Sequence, residues 1–248
     1  MKKIHILFRS CAVVKVRGSS DRPFGLDKEI IILKCLKSLL ESCKSLEKRV
    51  FIEIIDDSSG DDFISKMEKI LSSYKVRYKI NKLQCRNGGA TLEYSYSLAE
   101  KSKYQLLYFC QDDYFHLKHA IPSILQAYDD KIIYDSDFCI FPADYWANYV
   151  KIKPSFVFMG KYNHWRSVDI TDGTLILPKK IFIDFKEVFY KFAEFNKDKH
   201  GGEKETINKI IQENVPCIAP IESLTAHLHT TCLPSLVDWE AEIKRIKI

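Results

Sequence analysis

No stretch of the sequence approaches the roughly 18 uninterrupted apolar residues that a membrane-spanning helix needs. Near the amino terminus His5 and Arg9 break the apolar run that a secretory leader would keep intact. A cytoplasmic location is therefore expected, with peripheral contact through basic surface patches as the remaining route to a membrane. Blocks of lysine or arginine are missing too. The 38 basic and 33 acidic side chains leave a formal charge of +5, so nucleic acid is not an expected partner. The eight cysteines have no short paired spacing, and Cys110 and Cys139 sit in apolar runs, which points to buried reduced thiols. The seven histidines contain no His-Glu-x-x-His pair, which removes the usual zinc hydrolase. Neither a phosphate-binding Gly-x-x-x-x-Gly-Lys-Ser/Thr loop nor a Gly-x-Gly-x-x-Gly turn after the first strand is present. Nucleotide-dependent kinases and dinucleotide reductases are excluded with them.

What is present is an alternation of strands and amphipathic helices. Ile4 to Phe8 reads as a strand, followed by a helix with Ile30, Leu33, Leu36 and Leu40 at helical spacing. Val50 to Ile55 is a second strand, and Phe63, Met67, Ile70 and Leu71 mark the next helix. Val76 to Ile80 and Tyr104 to Cys110 are further strands, with a helix opened by Asn87-Gly88-Gly89 between them. This order predicts an α/β fold, a Rossmann-like domain with a mostly parallel central sheet covered on both faces. Beyond Pro122 the pattern changes to an aromatic-rich stretch from Phe138 to Trp165, a strand at Thr174 to Leu177, and a stripe of Phe182, Phe185, Phe189 and Phe192 that reads as core. No linker or repeat divides the chain, so a single domain over 1–248 is expected, with a ligand half at 1–120 and a second half at 121–248.

Two strands end in paired carboxylates: Asp56-Asp57 after Ile55, and Asp112-Asp113 after Phe109-Cys110-Gln111. The carboxyl ends of parallel strands form the ligand edge of such a sheet. Adjacent acids there repel one another unless a cation or positive partner offsets the charge, and Mg²⁺ or Mn²⁺ held by one or two carboxylates completes its shell with substrate phosphates. Asp-Asp is also common in solvated turns, and Asp and Ser cap helices, so it is the repetition on two strands that points to a ligand site.

These residues resemble the A-type-fold glycosyltransferases, in particular family 2 of the nucleotide-diphospho-sugar transferases. Ile55-Asp56-Asp57-Ser58-Ser59 is similar to that family's Val-Asp-Asp-Gly-Ser segment, and Asn87-Gly88-Gly89-Ala90 to its Asn-x-Gly helix start. Cys110-Gln111-Asp112-Asp113 is similar to its metal motif, with Gln111 in place of the usual first acid. The resemblance is close over about the first 120 residues and implies a donor half at 1–120 and an acceptor half at 121–248. It implies that Asp57, Asn87, Gln111 and Asp112 face a UDP- or GDP-linked sugar and that Asp113 binds Mn²⁺ or Mg²⁺. His227 would complete the metal site, with His229 on the same face of an extended strand as its rival. Glu203, in His200-Gly201-Gly202-Glu203-Lys204-Glu205 at a helix start, would be the catalytic base, with Asp172 and Glu205 as rivals. Trp165 and Arg166 offer an indole and a guanidinium suited to a sugar and a diphosphate. The implied activity is transfer of the sugar to a hydroxyl of a carbohydrate or glycoconjugate acceptor, with inversion. A sugar-phosphate nucleotidyltransferase and a non-catalytic nucleotide- or carbohydrate-binding protein of the same fold are the alternatives.

Overall fold

In a computed structural model, residues 1–13, 22–150, 154–198, 201–228 and 233–248 are described. Four strands of the first half lie side by side and parallel. They are β1 (Ile4–Ser10), β2 (Val50–Asp57), β3 (Arg77–Leu83) and β4 (Leu106–Gln111), in the order β3-β2-β1-β4. Ile4, Ile6, Leu7, Phe8, Ile52, Ile54 and Leu106 to Tyr108 are inaccessible to solvent, as a sheet covered on both faces requires. Helices α1 (Lys28–Ser42), α2 (Asp61–Ser72) and α3 (Gly88–Lys101) supply the covers. On α1 the buried set runs through Ile31, Ile32, Leu36, Leu39 and Leu40, while Ile30 faces outward.

The mostly parallel arrangement holds for this half and becomes mixed in the next. Strand β9 (Leu175–Pro178) runs antiparallel to β4 and carries β6 (Cys139–Ile140) on its other side. β10 (Cys217–Pro220) continues parallel to β6, and β8 (His164–Val168) and β7 (Val157–Met159) finish the nine-stranded sheet in antiparallel pairing. A separate ribbon pairs β5 (Tyr114–His116) with β11 (Thr225–His227). Helix α4 (Ala120–Asp129) begins at Ala120 and takes Pro122 into its first turn, where no intrahelical donor is lost. The phenylalanine stripe is core, as expected. It spans α5 (Lys179–Asp184) and α6 (Lys186–Asp198), which part at Phe185, and buries Phe182, Phe189 and Phe192, the first two against Tyr96 and Phe109. The chain ends in the two short helices α7 (Ile207–Glu213) and, after β11, α8 (Trp239–Arg245).

Gly89 explains how α3 and α6 approach. A Cβ built there would lie 2.3 Å from the Ala193 carbonyl oxygen and 2.5 Å from the Lys197 nitrogen, so a side chain would force the helices apart. Cys35, Cys43, Cys110, Cys139 and Cys217 are buried free thiols and Cys85 is exposed, while Cys232 lies outside the described residues.

Beneath the sheet, His5 Nε2 lies 3.0 Å from Glu53 Oε2, and Asn81 Nδ2 donates to Glu53 Oε1 at 3.0 Å. Burial alone would raise the Glu53 carboxyl, but the contacts with His5 and Asn81 outweigh it and hold the group down at about 2. Because the folded value is depressed, the stabilisation is present above the ordinary carboxylate value and is lost as pH falls toward 2. Glu53→Gln is expected to cost about 3 kcal/mol at neutral pH. Urea unfolding of both proteins should show the difference shrinking as pH drops below about 4.5. An unchanged stability at neutral pH would mean the network contributes nothing net.

Candidate active site

The carboxyl ends of β1, β2 and β4 open onto a cavity of about 440 Å³ whose walls include Arg9, Asp57, Asn87, Gln111, Asp112 and Asp113. Asp57 is buried and works first on its own chain. Its Oδ1 accepts from the Cys85 and Arg86 amides at 2.8 and 2.9 Å, and its Oδ2 accepts from the Asn87 amide at 3.0 Å. Three backbone donors thereby fix the loop between β3 and α3, with Arg86 held at a positive φ of 48°. With a single bond, Oδ2 keeps acceptor capacity toward the cavity. Asn87 caps α3 by accepting from the Ala90 amide, and its Nδ2 donates to the Lys197 carbonyl. Asp56 is turned away from the cavity, accepting from the Ser10 and Ser59 hydroxyls at 2.8 Å each.

Asp112 and Asp113 are separated by environment. The Cys11 amide donates to Asp112 Oδ2 at 2.9 Å, but burial and the neighbouring Asp113 charge push the Asp112 carboxyl up to about 6. Asp113 moves the other way. Its burial is outweighed by His227, whose Nε2 lies 3.0 Å from Asp113 Oδ2, so its carboxyl falls below the ordinary range.

Pairing of β5 with β11 creates that contact. His227 is opposite Tyr114 in the ribbon, the Leu228 amide donates to the Asp113 carbonyl at 2.8 Å, and the His227 ring stacks on Tyr114 at 4.9 Å. The Tyr114 hydroxyl donates to the Asp172 carbonyl, and Asp172 Oδ2 reaches to 3.5 Å from His227 Nδ1. An Asp113–His227–Asp172 row therefore stands at the ligand edge. His229 lies outside the described residues.

Gln111 packs against the turn that bears Asp172. At Gly173, where φ is +67°, an added Cβ would come within 2.2 Å of the Gln111 amide nitrogen, so only glycine lets the two segments close on each other. Glu203 faces a smaller adjoining cavity with Tyr96, Phe109, Gly173 and Arg9, and Arg9 lines both spaces. Burial raises the Glu203 carboxyl, and the charge of Asp172 adds to the effect. Glu203 does not begin the helix. α7 starts at Ile207, because Gly201 and Gly202 have φ of 97° and 98° and residues 203–206 form turns. Glu205 is exposed there.

Trp165 and Arg166 are not brought to this cavity. Trp165 is only 1% exposed and fills the space over Gly160, where a Cβ would lie 2.7 Å from the indole nitrogen, so it cannot serve as an open sugar platform. Arg166 donates to Asp144 at 2.6 Å and lies over the Tyr149 ring. Sequence reasoning missed the cations. Arg9, Arg22, Lys28, Arg86 and Lys197 come from five separate segments to the wall of the main cavity. Only Arg9, a charge at the end of an apolar strand, carried a local signal.

The structure superposes on TarS of S. aureus with a TM-score of 0.60 at 12% identity, covering 90% of this chain and 36% of that one. The 1–349 fragment of TarS in complex with UDP-GlcNAc gives 0.55 at 12% identity, over 90% of this chain and 57% of the fragment. This is the A-type glycosyltransferase fold. A nucleoside-diphosphate-sugar pyrophosphorylase from Vibrio cholerae RC9 shares it, with a TM-score of 0.54 at 12% identity over 98% of this chain and all of that one. The chain thus spans about a third of the length of TarS and the whole of the pyrophosphorylase. No protein-family model and no curated protein matches the sequence. Among the described residues, no helix of this A-type fold is long and apolar enough to cross a membrane.

Proposed function

We propose that the protein transfers a sugar from a UDP- or GDP-linked donor to an acceptor hydroxyl, with inversion and with the help of a divalent cation. The observation that carries this reading is the 3.0 Å approach of His227 to Asp113 across the β5–β11 ribbon, at the mouth of a cavity walled by five cations. Asp113 Oδ1 is a buried carboxylate oxygen with no hydrogen-bond partner among the described residues, and a cation would satisfy it. An aspartate oxygen and an imidazole nitrogen suit Mn²⁺ or Mg²⁺ when a diphosphate completes the shell. Among the described residues no cluster of three or more such ligands exists. When bound, the ion would neutralise charge developing on the departing diphosphate.

The chain's own groups supply the rest. Asp57 Oδ2 accepts from the base, and Arg9, Lys28 and Arg86 hold the negative donor by charge-assisted hydrogen bonds. Asp172 orients His227 through Nδ1. Glu203, made more basic by burial, removes the proton from the acceptor hydroxyl as that oxygen attacks the anomeric carbon in line.

Thermal melting tests the donor site. UDP or GDP should raise Tm more with Mn²⁺ than with a chelator, because a ligand of the native state stabilises it as RT ln(1 + [L]/Kd). Absence of a shift with every nucleoside diphosphate in both conditions would contradict the reading. The full-length superposition on the pyrophosphorylase supports a second reading, nucleotidyl transfer at the same site, and the two differ in product.

A further inference from the structure

The turn at Thr171-Asp172-Gly173-Thr174 is tied down at both ends and in the middle. The Thr171 amide and hydroxyl both donate to Asn208 Oδ1, at 2.9 and 3.1 Å. The Asp172 carbonyl accepts from the Tyr114 hydroxyl and from the Thr174 amide. The Thr174 hydroxyl then donates to the Phe109 carbonyl of β4 at 2.8 Å. Thr171, Thr174, Tyr114 and Asn208 are all buried. Removing one partner of such a buried bond leaves the other unsatisfied, so each tie resists displacement of the turn.

Two of these ties lead to opposite sides of the site. Tyr114 lies flat against His227, its ring 4.9 Å away and only 7° from parallel, while its hydroxyl holds the backbone of Asp172. The Asp172 carboxylate in turn reaches to 3.5 Å from His227 Nδ1. Tyr114 therefore sets both the plane of the imidazole and the place of the carboxylate beside it. Asn208, the second residue of α7, faces the other way. Its amide donates to the Glu203 carbonyl at 2.8 Å, while its side chain holds Thr171. The segment that carries Glu203 is thereby joined to the turn that carries Asp172.

Resting on the reading of Glu203 as the base and of Asp113 and His227 as metal ligands, we propose that Tyr114 and Asn208 are positioning residues. Through the Thr171–Thr174 turn they hold the base and the metal ligand in one register. Asn208 lines neither the main cavity nor the smaller one beside Glu203, so a change there reaches His227 through the turn. Residues that share one hydrogen-bonded network are the ones whose substitutions couple.

The test is a Mn²⁺ titration of the melting shift produced by UDP or GDP, which needs no transfer activity. Tyr114→Phe keeps the stacked ring and removes the bond to Asp172, and should raise the Mn²⁺ concentration giving half the shift by about fivefold. Asn208→Ala should raise it by about threefold or more, although Asn208 touches no metal ligand. Asn208→Asp keeps an acceptor oxygen for Thr171 and should stay within about twofold of the parent. If Asn208→Ala does not fold, Thr171→Val, which keeps the shape and removes only the hydroxyl bond, takes its place with the same expected direction. In chelator, the nucleotide shift of each variant, taken from its own unliganded Tm, should match the parent's. A parent-like Mn²⁺ response in Tyr114→Phe or in Asn208→Ala would overturn the proposal. So would a nucleotide shift equally weakened in chelator, or a defect in Asn208→Asp as large as in Asn208→Ala, since either marks a merely structural role. A parent that shows no Mn²⁺-dependent shift would instead remove the metal site itself, and this inference with it.

Discussion

Glu203→Gln is expected to lower sugar transfer by about 10²–10⁴-fold while leaving donor and metal affinity in place, the scale of a lost general base. The substitution keeps the shape of a side chain packed beside Tyr96, Phe109 and Gly173 and removes only its capacity to take a proton. The direction of the Glu203 shift adds a pH signature. Burial and the Asp172 charge raise the carboxyl, so the rate should decline on the acid side at a pH above the ordinary carboxylate range, where Glu203 becomes protonated. Asp172→Asn separates the two roles. If Asp172 only orients His227, its loss should weaken metal-dependent binding and, by removing the charge that helps raise Glu203, move the acid limb to somewhat lower pH without abolishing transfer. If Asp172→Asn abolishes transfer and removes the acid limb while Glu203→Gln remains active, the base is Asp172.

Removing the metal ligands should act on a different observable. Asp113→Ala and His227→Ala are each expected to erase the difference between Mn²⁺ and chelator in nucleotide-induced melting. Transfer should fall by about 10²–10³-fold, the rate equivalent of the several kcal/mol that a Lewis acid contributes. Asp113 shares the edge with Asp112, so its loss also removes a repulsion, and the unliganded protein should melt close to the parent. The His227 contact at 3.0 Å offsets part of that gain. A variant that binds nucleotide with full metal dependence would make the Asp113–His227 pair structural.

The first half of the chain was legible because its signals are local. Apolar strands of six to eight residues mark β1, β2 and β4, helices follow β1, β2 and the more polar β3, and the polar strand ends at Asp57 and Asp112-Asp113 fall where the parallel sheet puts its ligand edge. The second half depends on pairings far apart in sequence. Strands as short as Cys139–Ile140 carry no alternation to read, and the order β9-β6-β10-β8-β7 follows no simple rule of succession. His227 was picked out on resemblance, yet its approach to Asp113 is a consequence of β11 pairing with β5 across more than a hundred residues. Trp165 shows the opposite failure. Its neighbours His164 and Arg166 look like an open polar segment, and only the close seat over Gly160 reveals a core residue. Helix α7 begins later than its Gly-Gly entry implied, because two consecutive residues with φ near 97° require further turns before helical geometry starts at Ile207.

The most direct test of the central claim is the phosphorus NMR spectrum of a UDP- or GDP-linked sugar incubated with the protein, Mg²⁺ and acceptor candidates, with and without added pyrophosphate. A transferase with its donor in the cavity between Asp57 and Asp113 should release nucleoside diphosphate, with or without pyrophosphate. Nucleoside triphosphate and sugar phosphate appearing only when pyrophosphate is present would contradict the account and make the protein a nucleotidyltransferase.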